Sequence, residues 1–249
     1  MKTFFLSDRG RVRQHNEDSA GVFRNLDGDI LAVVADGMGG HRAGDIASSM
    51  TIQLFHDYWE QTYNMKTPKK AEKWLRDYVE IINERIYKHA LENSECQGMG
   101  TTIVVAICTN QFATIGHVGD SRCYMVSEDK MSLVTEDHSL VNELVRHGEI
   151  SREDAESHPR KHVLLRALGT EQKVEVDVKT LVVEHGDRLL LCSDGLSNKV
   201  TVPQMEEILQ TSDTLQNKGL KLVETANNMG GEDNITLILV DIEDGGEVI

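Results

Sequence analysis

The chain has 249 residues, of which 41 are acidic and 26 are basic, and its net charge is −15. This acidic balance argues against a nucleic-acid-binding protein, because such proteins normally present a basic surface to the phosphate backbone. The length allows a substantial core, and the chain has only three prolines and no Ser/Gly/Pro-rich linker, which favours one domain. We expect that domain to cover residues 1–243, with residues 244–249 as a frayed acidic tail.

The sequence predicts a cytoplasmic protein. The first ten residues, MKTFFLSDRG, hold three consecutive apolar residues, too few for the core of a signal peptide. No apolar run approaches the length that spans a bilayer. The four cysteines form no C-x-x-C pair, so buried thiols in a reducing compartment are expected rather than disulfides or zinc ligands.

The first 60 residues predict a strand, a turn, a strand, a turn and a helix. Asp27-Gly28 lies between the apolar runs GVF and ILAVVA and is typical of a hairpin turn. Apolar residues recur at helical spacing from Ala43 and again from Ala71, which predicts two helices with one core-facing side each.

Further along the chain, the pattern predicts an α+β fold. Four strand-like runs occupy residues 101–135, and strands resume at 173–193, followed by helices around 203–210 and 215–228 and by a last strand. Such mixed runs predict packed sheets whose outer faces are covered by helices. The polar segment 136–165 carries two short helical patterns, one opening on the capping box Ser151-x-x-Asp154, and we expect it to form a flap beside the site.

Two apolar runs end in the same way, and they indicate where the chemistry lies. ILAVVADG and RLLLCSDG place Asp36 and Asp194 at predicted strand ends, where an unpaired ionised carboxylate near the core is costly. The last strand, NITLILVDI, has its acidic pair Glu232-Asp233 just before it. If that strand runs antiparallel to the other two, all three carboxylates meet at one edge and need a compensating cation.

The candidate ligands select the kind of metal. Glu17-Asp18 in RQHNED and Asp120 in HVGDSR add further acids, and all candidate ligands are oxygens, with no thiolate and no paired histidines. This set favours Mg²⁺ or Mn²⁺ over zinc or copper. Because so many carboxylates repel one another, we expect more than one ion. Two metals can share a water and make it a nucleophile, which suits hydrolysis of a phosphate ester.

Seven motifs, taken in order, closely resemble the type 2C metal-dependent Ser/Thr protein phosphatases, particularly their compact bacterial members. They are RVRQHNED, VVADGMGGHRAG, GMGTT, HVGDSR, TEDHS, CSDGLSN and GGEDNIT, and the resemblance runs from about residue 3 to 241. It implies a four-layer α-β-β-α sandwich, in which two packed antiparallel sheets are flanked by helix pairs and the metal centre lies at one edge.

The resemblance also implies residue roles. The two-metal centre would be held by four aspartates, by the backbone carbonyl of one glycine, and by a glutamate acting through bound water; a further aspartate, with Asp194, would hold a third, weaker ion. These positions are Asp18, Asp36, Asp194, Asp233, Gly37, Glu17 and Asp120. Arg13 matches the arginine that grips the substrate phosphate, which a guanidinium fork can pair bidentately.

Some positions depart from the family pattern. Met38 stands where some members have a general-acid histidine, and His41, three residues later, is a candidate for that role, with metal-bound water as the alternative proton donor. Asn198 stands where some relatives have an aspartate, which predicts a weak third site. In the flap, Arg160 and His162 are candidate contacts to the protein substrate.

The resulting hypothesis is a phosphoprotein phosphatase in which Arg13, Asp36, Asp194 and His41 are the catalytic residues. Water bridging two Mn²⁺ or Mg²⁺ ions would attack phosphoserine or phosphothreonine. The resemblance implies phosphorylated proteins as partners, including a membrane-anchored Ser/Thr kinase in a bacterial cytoplasm, and a monomer is expected.

Three alternatives fit less well. A catalytically dead relative should lack some of the metal carboxylates, and all are present. An Asp-nucleophile phosphotransferase needs an Asp-x-Asp strand end, whereas Asp36 is followed by Gly-Met. Nucleotide binding through GMGGHRAG fails because Arg42 occupies the third glycine position of G-x-G-x-x-G.

Overall fold

The computed structural model describes residues 1–40, 43–128 and 130–243. Two antiparallel sheets form its centre. The strands of the first sheet are, in spatial order, β1 (Lys2–Asp8), β11 (Ile235–Asp241), β10 (Arg188–Cys192), β7 (Arg122–Ser127) and β8 (Lys130–Leu133). Those of the second are β2 (Asp18–Arg24), β3 (Ile30–Met38), β5 (Ile103–Cys108), β6 (Phe112–Val118) and β9 (Asp177–Val182), and the short β4 (Gly100–Thr101) pairs with the end of β3.

Helices cover the outer face of each sheet. The second sheet is covered by α1 (Ala43–Trp59) and α2 (Pro68–Glu92), and the first by α6 (Val202–Gln210) and α7 (Leu215–Asn228). Thr67 caps α2 through its side chain and Pro68 opens it, the arrangement expected where the first N–H groups lack helical partners. The predicted α+β sandwich of two antiparallel sheets with flanking helices is confirmed.

Strand β3 shows why the core is layered. Its residues alternate between two buried faces: Leu31, Val33 and Ala35 pack towards α1 and α2, whereas Ile30, Ala32 and Val34 pack between the sheets. A strand that is buried on both faces has a continuous apolar run, which is the pattern that predicted it. A third apolar layer lies between the first sheet and α6–α7.

Several sequence predictions need correction. The prediction for the first 60 residues omitted β1, which pairs with β11 from the opposite end of the chain. Asp36, predicted at a strand end, lies two residues before the end of β3. Strand β10 ends at Cys192, and Asp194 begins the four-residue helix α5 (Asp194–Ser197). Strand β11 is antiparallel to β10 but lies in a different sheet from β3.

The segment 136–165 does leave the sheet. It contains α3 (Leu140–Arg146) and α4 (Arg152–Ser157), and the Ser151 capping box is present. Its two ends are joined by an antiparallel bridge between Ser139 and Leu164. The four cysteines are buried with free thiols. Across the described ranges, no helix combines the length and apolarity needed to cross a bilayer, and the tail at 244–249 lies outside those ranges.

Candidate metal centre

The centre begins where β2 and β3 pair. Asp18, the first residue of β2, lies directly opposite Asp36 in β3. Asp18 is only 7 % exposed. The hydroxyl of Ser193, which follows β10 in the other sheet, donates to Asp18 Oδ2 at 2.7 Å. The edge of one sheet is therefore joined to the edge of the other through a carboxylate.

The edge of the first sheet brings Asp194 and Asp233 together, because they lie next to the paired strands β10 and β11. Ser193 is fixed to β11 because its N–H donates to the Thr236 carbonyl and its hydroxyl accepts from the Thr236 N–H, both at 3.0 Å. A Cβ at Gly195 would clash with the carbonyl oxygen of Asn234. Only glycine therefore allows α5 to approach the chain that carries Asp233 so closely.

Asp120 reaches the same place from β6. It follows Gly119, whose φ of +105° favours glycine. The next residue, Ser121, shares a hydrogen bond of 2.7 Å with the Thr102 hydroxyl. The Thr102 N–H in turn donates to the Asp36 carbonyl at 2.9 Å. This relay, a bond between two side-chain hydroxyls followed by a backbone bond, fixes Asp120 relative to Asp36.

These acids line one cleft of about 470 Å³. Six of the predicted site residues are among its walls together with Arg13, and Asp18 lies behind them; the six are Glu17, Asp36, Gly37, Asp120, Asp194 and Asp233. Residues that the sequence analysis did not single out for the site, or named only in another context, also line it: Gly39, Thr102, Leu164, Glu232 and Asn234.

The electrostatics of the cleft fit a cation. Burial, and then the neighbouring carboxylates, raise the pKa of Asp18 and of Asp120 to about 7. The same causes raise the pKa of Asp36 and of Asp194 above the usual range. Like charges in a poorly solvated site repel when all are ionised, and divalent ions with oxygen ligands would remove that repulsion. The donor set therefore fits Mn²⁺ or Mg²⁺, while the individual ligand roles stay predictions.

Glu17, just before β2, and Gly37, within β3, both lie against the first turn of α1. The Gly37 N–H donates to the Glu17 carbonyl at 3.1 Å. A Cβ at Gly37 would clash with the Gly44 carbonyl oxygen, so the close approach of α1 requires glycine there. Burial raises the pKa of the Glu17 carboxyl.

Arg13 lies on the rim of the cleft. Its Nη2 donates to Asp233 Oδ2 at 2.8 Å, and half of its side chain is exposed. Asn234 supports the loop that carries it, a role that the sequence analysis missed. The Asn234 amide donates to the carbonyls of Arg9 and His15, and its oxygen accepts from the Glu17 N–H. The only sequence signal was its place in the GGEDNIT motif.

The remaining candidates are placed unevenly. His41 lies outside the described residues, and Met38 lines the cleft. In the flap, His162 lines the cleft, whereas Arg160 is absent from the described lining residues. Asn198 Nδ2 donates to Asp194 Oδ2 at 3.0 Å, so it occupies a carboxylate oxygen that the predicted third site would use.

Outside the cleft, the structure contains a histidine pair that the sequence analysis did not anticipate. The rings of His117 and His138 stack with centroids 4.6 Å apart, beside Asp177. Among the described residues that line the cleft, the edge of the two-sheet sandwich presents carboxylate oxygens and one arginine. Fold and cleft together define the class of metal-dependent hydrolases that act on phosphate esters.

Known proteins identify the family within that class. The sequence model of the family described as protein phosphatase 2C matches residues 9–226. The serine/threonine phosphatase stp of Listeria innocua is 51 % identical over 241 residues, covering 97 % of this chain and 96 % of that protein. The crystal structure of the serine/threonine phosphatase Stp1 from Staphylococcus aureus is 36 % identical, with a TM-score of 0.92 and coverage of 97 % and 95 %.

The catalytic domain of the serine/threonine protein phosphatase PstP, crystallised in complex with 2 manganese ions, is 32 % identical, with a TM-score of 0.85 and coverage of 98 % of each chain. The chain belongs to the protein phosphatase 2C family.

Proposed function

We propose that this chain is a Mn²⁺- or Mg²⁺-dependent phosphatase that removes phosphate from phosphoserine and phosphothreonine in proteins. One observation carries the proposal: aspartates from both sheets converge on a cleft with a guanidinium on its rim. Membership of the protein phosphatase 2C family supports protein substrates. The serine/threonine phosphatase relatives support the two phosphoresidues, and the manganese-bound PstP structure supports the metal.

The ions would be held by residues of both sheets. The proposed ligands of the two-ion core are four aspartates and one backbone carbonyl, with a glutamate acting through water: Asp18, Asp36, Asp194, Asp233, Gly37 and Glu17. Asp120 and Asp194 would hold a weaker third ion. When bound, two such ions supply Lewis acidity towards the phosphate and a nucleophilic water near neutral pH.

Arg13 would position the phosphate. A guanidinium has five N–H donors in a rigid fork, so the contact with Asp233 leaves donors for phosphate oxygens. That same contact restrains the side chain before the substrate arrives, which lowers the entropy lost on binding. His162, which belongs to the flap and lines the cleft, would contact the peptide around the phosphoresidue.

We further propose that the substrates include a membrane-anchored Ser/Thr kinase and that the protein acts as a cytoplasmic monomer comprising one domain, residues 1–243. The family resemblance alone supports these points. Incubating the autophosphorylated kinase with this chain tests the first of them: loss of phosphate from the kinase would support the pairing, and unchanged phosphorylation would contradict it.

A metal series on defined peptides tests the activity. The chelated protein should be inactive, and added Mn²⁺ or Mg²⁺ should restore hydrolysis of phosphoserine and phosphothreonine peptides and of p-nitrophenyl phosphate. Asp36→Asn should remove most activity, while Asp213→Asn, at an exposed position, serves as the matched control. Full activity in excess chelator, or activity on phosphotyrosine peptides alone, would overturn the proposal.

A further inference from the structure

The loop that presents Asp120 is held by one histidine from the TEDHS motif. The Gly119 N–H donates to His138 Nδ1 at 3.2 Å, and the His138 N–H donates to the Gly119 carbonyl at 2.9 Å. Both backbone polar groups of Gly119 are therefore paired with the same residue. Since Asp120 follows immediately, these two bonds fix the peptide from which its side chain projects.

A second contact holds the other side of the loop. Arg122 forms a bidentate pair with Asp137, with Nε at 2.9 Å from Oδ1 and Nη2 at 2.6 Å from Oδ2. Asp137 and His138, which are adjacent in the TEDHS motif, thus hydrogen-bond Arg122 and Gly119, the residues on either side of the Asp120–Ser121 pair. Of the two contacts, the one with His138 is the closer to Asp120 in the chain and uses a ring nitrogen as acceptor.

Gly119 dictates the tautomer of His138. A backbone N–H can only donate, so Nδ1 must carry a lone pair and the proton of the neutral ring lies on Nε2. Nε2 faces Asp177 Oδ2 at 3.3 Å, and Arg166 Nη1 binds the other oxygen of Asp177 at 3.0 Å. Asp177 therefore stabilises the tautomer that accepts from Gly119, as a carboxylate behind a histidine often does.

The same side chains do not suit a second metal. His117, His138 and Asp177 each place one ligand atom within 4.8 Å of the others. However, Arg166 Nη1 lies 3.4 Å from His138 Nε2, so a permanent positive charge is already next to the two histidines. A cation would be repelled there, which leaves the orienting role.

We propose that His138 is a positioning residue that sets the affinity of the Asp120–Asp194 pair for a divalent ion. This inference rests on the proposed function, because it assigns that pair to metal binding. Gly119 has a φ of +105°, a conformation that its hydrogen bonds hold against the flexibility of glycine. Loss of the bond to the His138 ring leaves the Gly119 N–H without its acceptor, while the backbone bond from the His138 N–H remains. The peptide can then shift and move the Asp120 carboxylate away from Asp194, whereas the other aspartates keep their own anchors.

The test is a calorimetric titration of Mn²⁺ into the chelated full-length protein, with thermal unfolding of the same samples. The weak binding event is defined as the one that Asp120→Asn removes. His138→Gln places an amide near the former Nε2 and leaves Gly119 without its acceptor. We expect it to weaken that event about 10–100-fold and to leave the tighter binding unchanged.

His138→Asn is the matched control, because its Oδ1 takes the place of Nδ1 and can still accept from Gly119. We expect it to keep the weak event close to the wild-type affinity. Asp177→Ala removes the partner of Nε2, together with the Asp177–Arg166 ion pair, and leaves the His138 ring in place, so it keeps the test possible if His138→Gln does not fold. It should weaken the same event, by less.

Three results would overturn the inference: no event removed by Asp120→Asn, an unchanged weak event in both His138→Gln and Asp177→Ala, or equal weakening of every event in both His138 variants in proportion to lost stability. Failure of the proposed function has a different appearance, since the wild-type protein would then lack metal-dependent hydrolysis of phosphopeptides.

Discussion

Asp18 and Asp36 lie directly opposite each other across the antiparallel pair β2–β3. Asp18 has almost no contact with solvent and receives a hydrogen bond from Ser193 in the other sheet. Burial raises its pKa to about 7, from an ordinary value of 3.8. Below about pH 7 the metal-free protein therefore keeps a proton on Asp18, next to the point where the proposed ions would bind, and in that range metal binding should release it.

This pKa predicts how the stability of the metal-free protein depends on pH. Between 3.8 and about 7, the folded state holds a proton on Asp18 that the unfolded chain has released. The folded state thus binds more protons, so the Asp18 contribution to stability is complete below this window and is lost as pH rises through it. The free energy of unfolding should fall by about 1.4 kcal/mol per pH unit from this group.

Denaturant unfolding in chelator at several pH values measures the contribution of the Asp18 carboxyl. It is the difference in unfolding free energy between the wild type and Asp18→Asn, which lacks that carboxyl. The unfolding free energy of Asp18→Asn minus that of the wild type should increase steadily from pH 4 to pH 7. Parallel pH profiles for the two proteins would contradict the assignment.

Asp18→Asn should also remove most of the stabilisation by metal. At pH 7.5, removing a buried carboxyl should stabilise the metal-free protein, because its desolvation and the repulsion from Asp36 disappear. Mn²⁺ at a hundredfold excess over its Kd should raise the wild-type melting temperature by about 5–10 °C and leave the variant nearly unchanged. Scanning calorimetry with and without Mn²⁺ measures both; Asp213→Asn should respond like wild type.

Arg13→Ala should weaken phosphate recognition more than metal binding. Loss of charge-assisted hydrogen bonds to the phosphate, worth about 1.5–3 kcal/mol, predicts a fall in kcat/KM of about 10–100-fold. The Mn²⁺ concentration for half-maximal activity should change little. Arg11→Ala is the control, since Arg11 binds Asn228 and is absent from the described lining of the cleft. Equal losses in both variants would exclude a specific role for Arg13.

His162→Ala tests whether the flap contacts the protein substrate. His162 lines the cleft and is exposed, and its charge would lower the pKa of Asp194. Loss of one contact of about 1 kcal/mol should lower kcat/KM on phosphopeptides about fivefold. On p-nitrophenyl phosphate, which has no peptide, the change should be smaller. His147→Ala, on an exposed part of the same segment, should leave both substrates unaffected.

The sequence predicted the elements that depend on neighbouring residues and missed those that depend on contacts between residues far apart in the chain. Strand β3 is encoded by a continuous apolar run and helix α2 by apolar residues at helical spacing, so the places of both were predictable from local sequence. The acids of the cleft could be selected because each lies in a motif whose order matches the family. The start of α5 at Asp194 was not predictable, because a helix of four residues has no periodicity to detect.

Contacts between distant parts of the chain were also beyond local patterns. The β1–β11 pair joins the two ends of the protein, and β1 by itself has a weak strand signal. The stack of His117 on His138 depends on how β6 lies against the segment before α3. The Asn234 side chain binds partners separated from it by 217 to 225 residues, and a single polar residue in a motif does not indicate such partners.

Asn234→Ala should therefore be costly for both stability and activity. Asn234 is 5 % exposed, and its amide donates to the Arg9 carbonyl at 2.9 Å and to the His15 carbonyl at 3.0 Å, while its oxygen accepts from the Glu17 N–H at 2.8 Å. Truncation leaves three backbone groups without partners, and partial hydration would recover some of the loss. We expect a decrease of about 2–4 kcal/mol in the free energy of unfolding.

The loop that Asn234 holds carries Arg13 and Glu17. Asn234→Ala should therefore have a raised KM for phosphopeptides even under conditions in which it is fully folded. Asn234→Asp should not rescue it, because a carboxylate cannot donate to the two carbonyls. Asn228 is exposed and its side chain accepts a hydrogen bond from the exposed Arg11, so Asn228→Ala should change the unfolding free energy by less than about 0.5 kcal/mol. Denaturant unfolding and steady-state kinetics on the same samples separate the loss of stability from the change in KM. An Asn234→Ala protein as stable as Asn228→Ala would show that other contacts hold the loop.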